Sequence, residues 1–433
     1  MGRSQAGRLR AVRGIEYRPL PSQKAFHASK ARFKGFSGPV GSGKSQALCH
    51  EAIRLTYLNP GRMGLIGAPT YPMLRDATQR TLIEILDHNR IPYEFNKSEK
   101  SIRMKDTDSR MILRAVDHFE RLRGTNLAWF GLDELTYTVE EVWTRLEGRL
   151  RDPAAAWLCG FGVWTPNGHD WVYERFVASP PEGYSVTLAR PFENRFILDK
   201  VPDFYERLKY SYSMGLYEQE ALGNYTANRD GMVYSAFDRK ENVRVVARDS
   251  RKPVMWSLDF NVEPMCSVVA QRDGEEFHVL DEIVLHRSCT SEACEEFDRR
   301  YPYDGTAVEI YGDASGNRRQ TAGTSDWEIV RTFFQSRGRR MNLHTGRSNP
   351  PVRERVAKLN GHLKNAAGET RLLVDPRCRE LIKDLELVRY GKNGEIDKGT
   401  DAARTHLSDA LGYLVWEESR PQVAMGEQPH SLL

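Results

Sequence analysis

The sequence has no long apolar run, and this absence argues against a membrane protein. No hydrophobic stretch approaches the ~18–20 residues that span a bilayer. The first residues, MGRSQAGRLRAVRG, also lack the apolar segment of a secretory signal. Because 40% of the 433 residues are hydrophobic and 28% are charged, the composition is typical of a soluble, globular protein. We therefore predict a cytoplasmic protein without membrane contact.

Cysteine is scarce as well, which argues against a structural zinc site. The six cysteines have no paired CxxC spacing, and Cys289 and Cys294 lie five positions apart with only His286 nearby. Zinc sites of the structural type need four such ligands at close spacing. Reduced and mostly buried thiols are the simpler interpretation.

Acidic residues are nearly absent from the N-terminal segment. Residues 1–34 contain nine Lys or Arg and a single acid, Glu16, so this segment carries +8 although the whole chain carries only +4. A basic arm on a near-neutral body is typical of proteins that contact nucleic acid or an acidic partner. A solvated arm without a partner explains the same pattern equally well.

The N-terminal half alternates strand-like apolar runs with helical stretches. The predicted strands are Arg62–Ala68, Met111–Val116, Leu127–Asp133 and Trp157–Trp164. Such alternation favours a mostly parallel sheet with helices on its faces. A chain of this length exceeds one comfortable hydrophobic core, so two domains are expected.

A glycine-rich loop within this half has the pattern of a phosphate-binding loop. Gly38, Gly43, Lys44 and Ser45 match G-x-x-x-x-G-K-S, between a predicted strand at residues 31–36 and a helical run at 45–59. The glycines let backbone N–H groups face phosphates, the lysine adds charge at the β and γ oxygens, and the serine hydroxyl binds Mg²⁺. We therefore predict a nucleotide-binding loop.

A second element completes the predicted ATPase. The apolar strand LAWFGLDE ends in Asp133 and Glu134. In P-loop enzymes, the acid at the end of this strand orients the magnesium ion and its water shell. The adjacent glutamate can polarise the attacking water. It also favours an ATPase with an additional strand, for which residues 62–68 and 111–116 provide room.

Three weaker features fit the same nucleotide site. Gln23, ahead of the loop, is a candidate adenine reader, and Asn167 in the sequence TPNG is a candidate γ-phosphate sensor. Arg123, ten residues before Asp133, is a candidate arginine finger. Ordinary roles remain open for each: a loop glutamine, a turn built from Pro, Asn and Gly, and a solvated loop arginine.

Three aspartates stand out in the C-terminal half. Asp259 lies inside an apolar strand, Asp313 follows another, and Asp409 shares a helix face with His406. An unpaired carboxylate in a buried strand is costly, so a metal explains Asp259 better than packing does. Two Mg²⁺ or Mn²⁺ ions held by such acids can hydrolyse phosphodiesters. The order of strand, meander, strand and late helix predicts a ribonuclease H-like nuclease fold.

Other charged residues in this half are weaker candidates. Asp281 and Glu282 remain open as additional metal ligands. Contacts to DNA phosphates are suggested by an arginine pair and by a basic run, for which a solvated surface is the alternative. These arginines are Arg318 and Arg319, followed by Arg337, Arg339, Arg340, Arg347, Arg353 and Arg355.

From about Gln23 to Glu418 the chain resembles the large terminase subunit of double-stranded DNA phages. The likeness depends on the order of GPVGSGKS, LAWFGLDE, TPN, SLDFN, YGDASG and HLSDALGY. It implies the roles given above for the singled-out residues, with Asn167 in the ATPase coupling motif and His406 as an adjunct found in some members. Many family members have a deviant phosphate loop, whereas this one is standard.

The resemblance implies an α/β chain with a P-loop ATPase domain, of the type with an additional strand and a catalytic glutamate, and a ribonuclease H-like nuclease domain. The predicted divisions are a basic arm with the adenine motif (1–34), the ATPase (35–189), a linker subdomain (190–245) and the nuclease (246–433). The implied cofactors are ATP and two Mg²⁺ or Mn²⁺ ions.

The implied partners are double-stranded DNA, the portal protein of the procapsid and a small terminase subunit. The protein is expected to be a monomer in solution, to form a homo-oligomeric ring during packaging, and to act in the host cytoplasm. A competing interpretation is a helicase or DNA-remodelling ATPase whose second domain only binds nucleic acid. An adaptor with a vestigial ATPase is disfavoured by the intact Lys44 and Glu134.

Overall fold

A computed structural model describes residues 15–117, 125–226, 231–260, 263–318, 323–391, 395–397 and 404–420. The chain divides into two compact units. The first comprises Met1–Phe204 and Glu218–Ala227, and the second comprises Tyr205–Tyr217 and Asn228–Leu433. The residues 190–245 that the sequence suggested as a linker subdomain are therefore divided between the two units.

The first unit is an eight-stranded sheet flanked by helices. Its strands are β1 (Phe33–Ser37), β2 (Met63–Ala68), β3 (Tyr93–Asn96), β4 (Ser101–Met104), β5 (Arg110–Ala115), β6 (Trp129–Leu132), β7 (Cys159–Trp164) and β8 (Tyr184–Leu188). Its helices are α1 (Pro21–Ala28), α2 (Lys44–Leu58), α3 (Tyr71–Met73), α4 (Arg80–His88), α5 (Glu140–Glu147), α6 (Trp171–Tyr173) and α7 (Arg195–Leu198). Each strand predicted between residues 62 and 164 is present, with ends shifted by at most two positions.

The order of strands brings the two nucleotide motifs to one edge of the sheet. The order is β3-β4-β5-β2-β6-β7-β1-β8, and all neighbours from β5 to β8 are parallel. The strand between β1 and β6 is therefore β7, whereas β2 and β5, which the sequence suggested for the additional strand, lie beyond β6. Because carboxyl ends of parallel strands share one edge, the loop after β1 and the acids after β6 meet there.

Close packing of aromatic side chains holds this sheet to its helices. Trp129, Phe161 and Phe36 are fully buried. Gly64 on β2 gives the Trp129 ring its space, because a Cβ at that position would lie 2.0 Å from a ring atom. A larger residue at Gly64 would therefore displace a core tryptophan.

A buried charge network joins α1, β1 and α2. The Glu51 carboxylate on α2 is fully buried, and it lies 2.7 Å from His27 Nδ1, 2.7 Å from Lys34 Nζ and 2.7 Å from an Arg54 nitrogen. Burial alone raises the pKa of Glu51, but hydrogen bonds from His27 and Arg54 and the charge of Lys34 outweigh it and lower that pKa to about 2.

Glu51→Gln should lower the free energy of unfolding at pH 7 by about 3 kcal/mol, since one pKa unit corresponds to ~1.4 kcal/mol. The folded-state pKa is below the ordinary value of 4.5. The carboxylate's contribution is therefore fully present above pH 4.5 and disappears as the pH falls towards 2. The deficit should be constant between pH 8 and 5 in urea unfolding and should shrink in more acid buffer. Glu84→Gln is the matched control, because Glu84 forms an exposed helix pair with Arg80. An equal loss in both variants would contradict the prediction.

The second unit is a six-stranded mixed sheet. Its strands are β9 (Val254–Asp259), β10 (Met265–Asp273), β11 (Glu276–Leu285), β12 (Val308–Gly312), β13 (Met341–His344) and β14 (Leu372–Val374), in the order β13-β12-β9-β10-β11-β14. Its helices are α8 (Phe204–Ser211), α9 (Met214–Leu216), α10 (Arg239–Asn242), α11 (Thr290–Arg300), α12 (Asp326–Ser336), α13 (Val352–Leu363), α14 (Arg379–Leu387) and α15 (His406–Glu418). Strands β9, β10 and β11 form the predicted antiparallel meander.

Helices cover both faces of the second sheet. One buried cluster joins α13, α14 and α15 to strand residues such as Val268, and the other joins α11 and α12 to Trp256. The Trp256 and Phe297 rings stack with their centroids 4.4 Å apart. Both units thus confirm the α/β class. Within the described ranges, no helix has the length and apolarity to cross a membrane.

Candidate functional site

The glycine-rich loop connects β1 to α2 at the carboxyl edge of the first sheet. Gly43 adopts a left-handed conformation with φ 81°, and a Cβ there would lie 2.5 Å from Gln23 Nε2. Lys44 Nζ donates to the carbonyls of Gly38 at 3.1 Å and Pro39 at 2.9 Å, so the lysine lies over the loop it follows. This is the fold context that a phosphate-binding loop requires.

Asp133 lies directly opposite this loop. Its Oδ2 accepts hydrogen bonds from Ser45 Oγ at 3.3 Å and from Thr78 Oγ1 at 2.7 Å. Burial raises the Asp133 pKa, although the hydrogen bond from Thr78 and the charge of Lys44 each act to lower it. The structure thus brings together the hydroxyl and the carboxylate that the sequence assigned to one magnesium ion.

Glu134 has the environment of a proton acceptor. Burial, together with the charges of Asp133 and Glu220, outweighs the opposing charge of Lys44 and raises the pKa of Glu134 to about 7. A backbone hydrogen bond from Thr165 also reaches this carboxylate. Glu134 has a φ of 49°, which is uncommon for a residue with a side chain and typical of functional sites.

The weaker nucleotide predictions have different outcomes. Gln23 lies at the loop, but its amide donates to the Gly43 carbonyl at 2.9 Å and its oxygen accepts from Leu20 N at 2.8 Å. The glutamine therefore links α1 to the loop. Asn167 lies half-buried just after β7, where Thr165 rather than Asn167 contacts Glu134. Arg123 lies outside the described residues.

Sequence reasoning missed several groups around this loop. Thr78 comes from the helical segment after β2, Asn194 Nδ2 donates to the Gly41 carbonyl at 2.6 Å, and Val40 N donates to the Glu220 carbonyl at 2.7 Å. Thr78 and Glu220 lie in polar helical stretches without a motif. Only Thr165, the first residue of the TPN turn, had a usable sequence signal.

Adjacent strands of the second unit position two of the three predicted nuclease acids. Asp259 ends β9 and Asp313 follows β12, and the parallel register places Gly312 opposite Leu258. Asp313 N donates to the Leu258 carbonyl at 3.3 Å. Their side chains therefore emerge at the same sheet edge.

Helix α15 brings the third acid to this edge. Ser257 Oγ on β9 donates to the Ala410 carbonyl at 2.6 Å, which fixes the helix against the strand. His406 Nδ1 lies 2.9 Å from Asp259 Oδ2. Burial raises the Asp259 pKa, the hydrogen bond from His406 lowers it, and the charges of Asp409 and Asp313 raise it again. Asp313 and Asp409 are thus both within electrostatic reach of Asp259.

The acids already have protein partners. Asp313 Oδ1 accepts from Ser315 N at 2.6 Å and from Asn349 Nδ2 at 2.7 Å, while Asp409 Oδ1 accepts from Arg355 at 2.7 Å. In the part of the chain that the structure describes, no three His, Cys, Asp or Glu side chains are grouped closely enough to hold a metal ion. The three aspartates nevertheless supply carboxylate oxygens, which are the ligands that Mg²⁺ and Mn²⁺ prefer. A divalent cation would also relieve the electrostatic repulsion among the three acids.

The two acids left open as additional metal ligands, and two arginines of the basic run, pair with other groups of the protein. Asp281 accepts from Arg300 at 3.1 Å, and Glu282 accepts the backbone N–H groups of Glu380 and Leu381 at the start of α14. The prediction that the whole basic run faces DNA is wrong for Arg339 and Arg355, which are 6% and 5% exposed and paired with acids. The exposed members are Arg318, Arg337, Arg340, Arg347 and Arg353, and Arg319 lies outside the described residues.

The chain is similar to known phage proteins. Residues 259–418 match the family model for the terminase RNaseH-like domain. The large terminase subunits of Thermus phage G20c and Thermus virus P23-45 are each 26% identical over 211 residues, which is 44% of this chain and 41% of each relative. The chain thus matches less than half of the length of these relatives.

Solved structures extend the comparison to the first unit. The large terminase of a thermophilic bacteriophage superimposes with a TM-score of 0.65 at 15% identity, over 92% of this chain and 98% of that one. A second crystal form of that protein, in complex with ADP, gives the same values. The chain therefore has the fold of this phage large terminase, and its residues 259–418 are similar to the terminase RNaseH-like domain.

Proposed function

We propose that this chain is the large subunit of a phage DNA-packaging enzyme, which hydrolyses ATP to move double-stranded DNA and cuts that DNA by metal-dependent hydrolysis. The observation that supports the proposal is that one chain has two separate sets of groups suited to these two reactions. One set joins Lys44, Ser45 and Asp133 at the phosphate-binding loop. The other joins Asp259, Asp313 and Asp409 at the edge of the second sheet.

In the first unit, the groups suit ATP hydrolysis. Ser45 and Asp133 would hold the magnesium ion that accompanies ATP and neutralises its phosphate charge. Lys44 would exchange its loop carbonyls for phosphate oxygens. Glu134, with a pKa of about 7, would accept a proton from the attacking water. The Thr165 N–H group orients this carboxylate.

In the second unit, the groups suit phosphodiester cleavage. Asp259, Asp313 and Asp409 would hold two Mg²⁺ or Mn²⁺ ions, which supply charge to activate water and stabilise the leaving oxygen. His406 holds Asp259 in place through its contact of 2.9 Å. The exposed arginines of the basic run would hold the phosphate backbone without reading the base sequence.

The remaining parts of the proposal come from the family resemblance. The chain would act in the host cytoplasm with a small terminase subunit, and would dock as a homo-oligomeric ring on the portal protein of a procapsid. Arg123 would supply an arginine finger, Gln23 would lie beside the adenine, and Asn167 would couple hydrolysis to movement. These residues remain candidates for those roles.

A plasmid-cleavage assay, run with an ATPase assay, tests the proposal. The purified chain should nick and linearise plasmid DNA in Mn²⁺ or Mg²⁺ but not in Ca²⁺, because calcium prefers longer and more numerous bonds. Hydrolysis of ATP should be measurable in the same preparation. ATP-dependent strand separation without cleavage would instead support a helicase or remodelling ATPase.

A further inference from the structure

Arg355 at the start of α13 is buried against the third nuclease acid. Its guanidinium donates to Asp409 Oδ1 at 2.7 Å and to the Asp409 carbonyl at 2.8 Å. The guanidinium also lies 4.4 Å from the centre of the Tyr413 ring. Gly412 makes room for it, because a Cβ there would lie 3.0 Å from the arginine side chain. The Arg355 side chain is thus packed against α15.

A buried cation in this position is costly unless negative charge surrounds it. Arg355 is only 5% exposed, and its Nε has no hydrogen-bond partner among the described residues. The nearby acids supply the compensation. Asp409 is in direct contact, and the charges of Asp259, Asp313 and Asp409 all reach Tyr413, over whose ring the guanidinium lies.

We propose that Arg355 is a built-in counter-ion for Asp409, and that it competes with divalent cations for this carboxylate. The inference rests on the proposed nuclease site. A guanidinium and a divalent cation are both positive, so they repel each other. Both also need the Asp409 carboxylate as their partner. The arginine therefore stabilises the three-acid cluster without metal and weakens the affinity of that cluster for metal.

Arg339 provides a matched control within the same unit. It is also a buried arginine, 6% exposed, with one acidic partner at 2.6 Å, Asp298. Its Nε likewise has no hydrogen-bond partner in the described ranges. Its guanidinium lies over Phe297 and Phe334, in the cluster on the α11 and α12 face. Loss of this pair should cost stability without any link to metal.

The test compares Arg355→Met and Arg339→Met in the full chain. Without divalent cations, both variants should melt at lower temperature than the wild type in scanning calorimetry. Mn²⁺ should restore the melting temperature of Arg355→Met and leave the deficit of Arg339→Met unchanged. The Mn²⁺ dissociation constant, measured by titration calorimetry, should fall roughly tenfold in Arg355→Met, as for the loss of one opposing interaction of ~1.4 kcal/mol. It should not change in Arg339→Met.

Two further variants keep the test decisive if Arg355→Met fails to fold. Arg355→Lys keeps the charge and should bind Mn²⁺ as the wild type does, whereas Arg355→Gln loses the charge and should bind it more tightly. Unchanged or weaker Mn²⁺ binding by the uncharged variants would overturn the counter-ion role. A wild-type chain that binds no Mn²⁺, or an Asp259→Asn variant that binds it normally, would overturn the proposed metal site itself.

Discussion

Replacement of Lys44 by alanine should reduce ATP turnover by ~10²-fold or more and leave Mn²⁺-dependent DNA cleavage at the wild-type rate. A loss of this size in turnover is typical when an enzyme loses one charged group at the point where charge develops in the transition state. Lys44 is 8% exposed and lies among Asp133, Glu134 and Glu220, whose charges oppose the lowering of its pKa by burial. No other lysine has this position at the loop between β1 and α2 in the described chain.

Lys24→Ala is the control for this experiment. Lys24 lies on α1 next to Gln23, but its side chain is exposed, so its removal changes the net charge equally without touching the loop. ATP hydrolysis, measured as phosphate release, should be normal in this variant. A Lys44→Ala protein that keeps its fold and hydrolyses ATP at half the wild-type rate or better would refute the assignment of the phosphate-binding loop.

Cleavage should survive in Lys44→Ala because the proposed ATPase groups and the proposed nuclease acids belong to separate compact units. Each unit has its own sheet and its own buried clusters, so different residues form the packing around the loop and the packing around the three acids. A plasmid assay with Mn²⁺ and no ATP measures the nuclease alone. Loss of both activities would indicate misfolding, which the melting profile would reveal.

The sequence predicted β1, β2, β5, β6 and β7 and the local motifs because short-range patterns determine them. A short apolar run that ends in Asp-Glu, as at Asp133, predicts a strand and its carboxyl end when a phosphate-binding loop precedes it. The phosphate-binding loop is similarly local, since its glycines and Lys44 act through the backbone of a single turn. The acids Asp259 and Asp313 were visible for the same reason, as carboxylates at the ends of buried strands.

Contacts between distant segments could not be predicted in this way. Thr78 and Asp133 are separated by 55 positions, and Arg355 and Asp409 by 54. Nothing in the run Ser336–Arg355 distinguishes the buried Arg355 from the exposed Arg353, because the difference depends on which face of α13 packs against α15. The position of β7 between β1 and β6 is likewise a property of the whole sheet. Charge counting therefore overestimated the basic surface.

Asp259→Asn should abolish DNA cleavage in Mn²⁺ and leave ATP hydrolysis unchanged. The substitution keeps the size of the side chain and can keep a hydrogen bond to His406, so the fold should survive. It removes the negative charge that would hold a divalent cation at the centre of the three acids. A rate below ~10⁻² of the wild type is expected if the metal supplies several kcal/mol of transition-state stabilisation.

The control for Asp259→Asn is Asp281→Asn in the same sheet. Asp281 is also a strand aspartate, but it lies on β11 beside Arg300 and Tyr301 rather than beside the other acids. This variant should cut DNA normally, although it loses an ion pair. Calorimetry gives a second readout, because Mn²⁺ should raise the melting temperature of Asp281→Asn as it does for the wild type and should not raise that of Asp259→Asn. If Asp259→Asn cut DNA at the wild-type rate, this sheet edge would not be the nuclease site. Loss of cleavage in both variants would mean that the charge of the whole sheet matters, rather than the convergence of Asp259, Asp313 and Asp409.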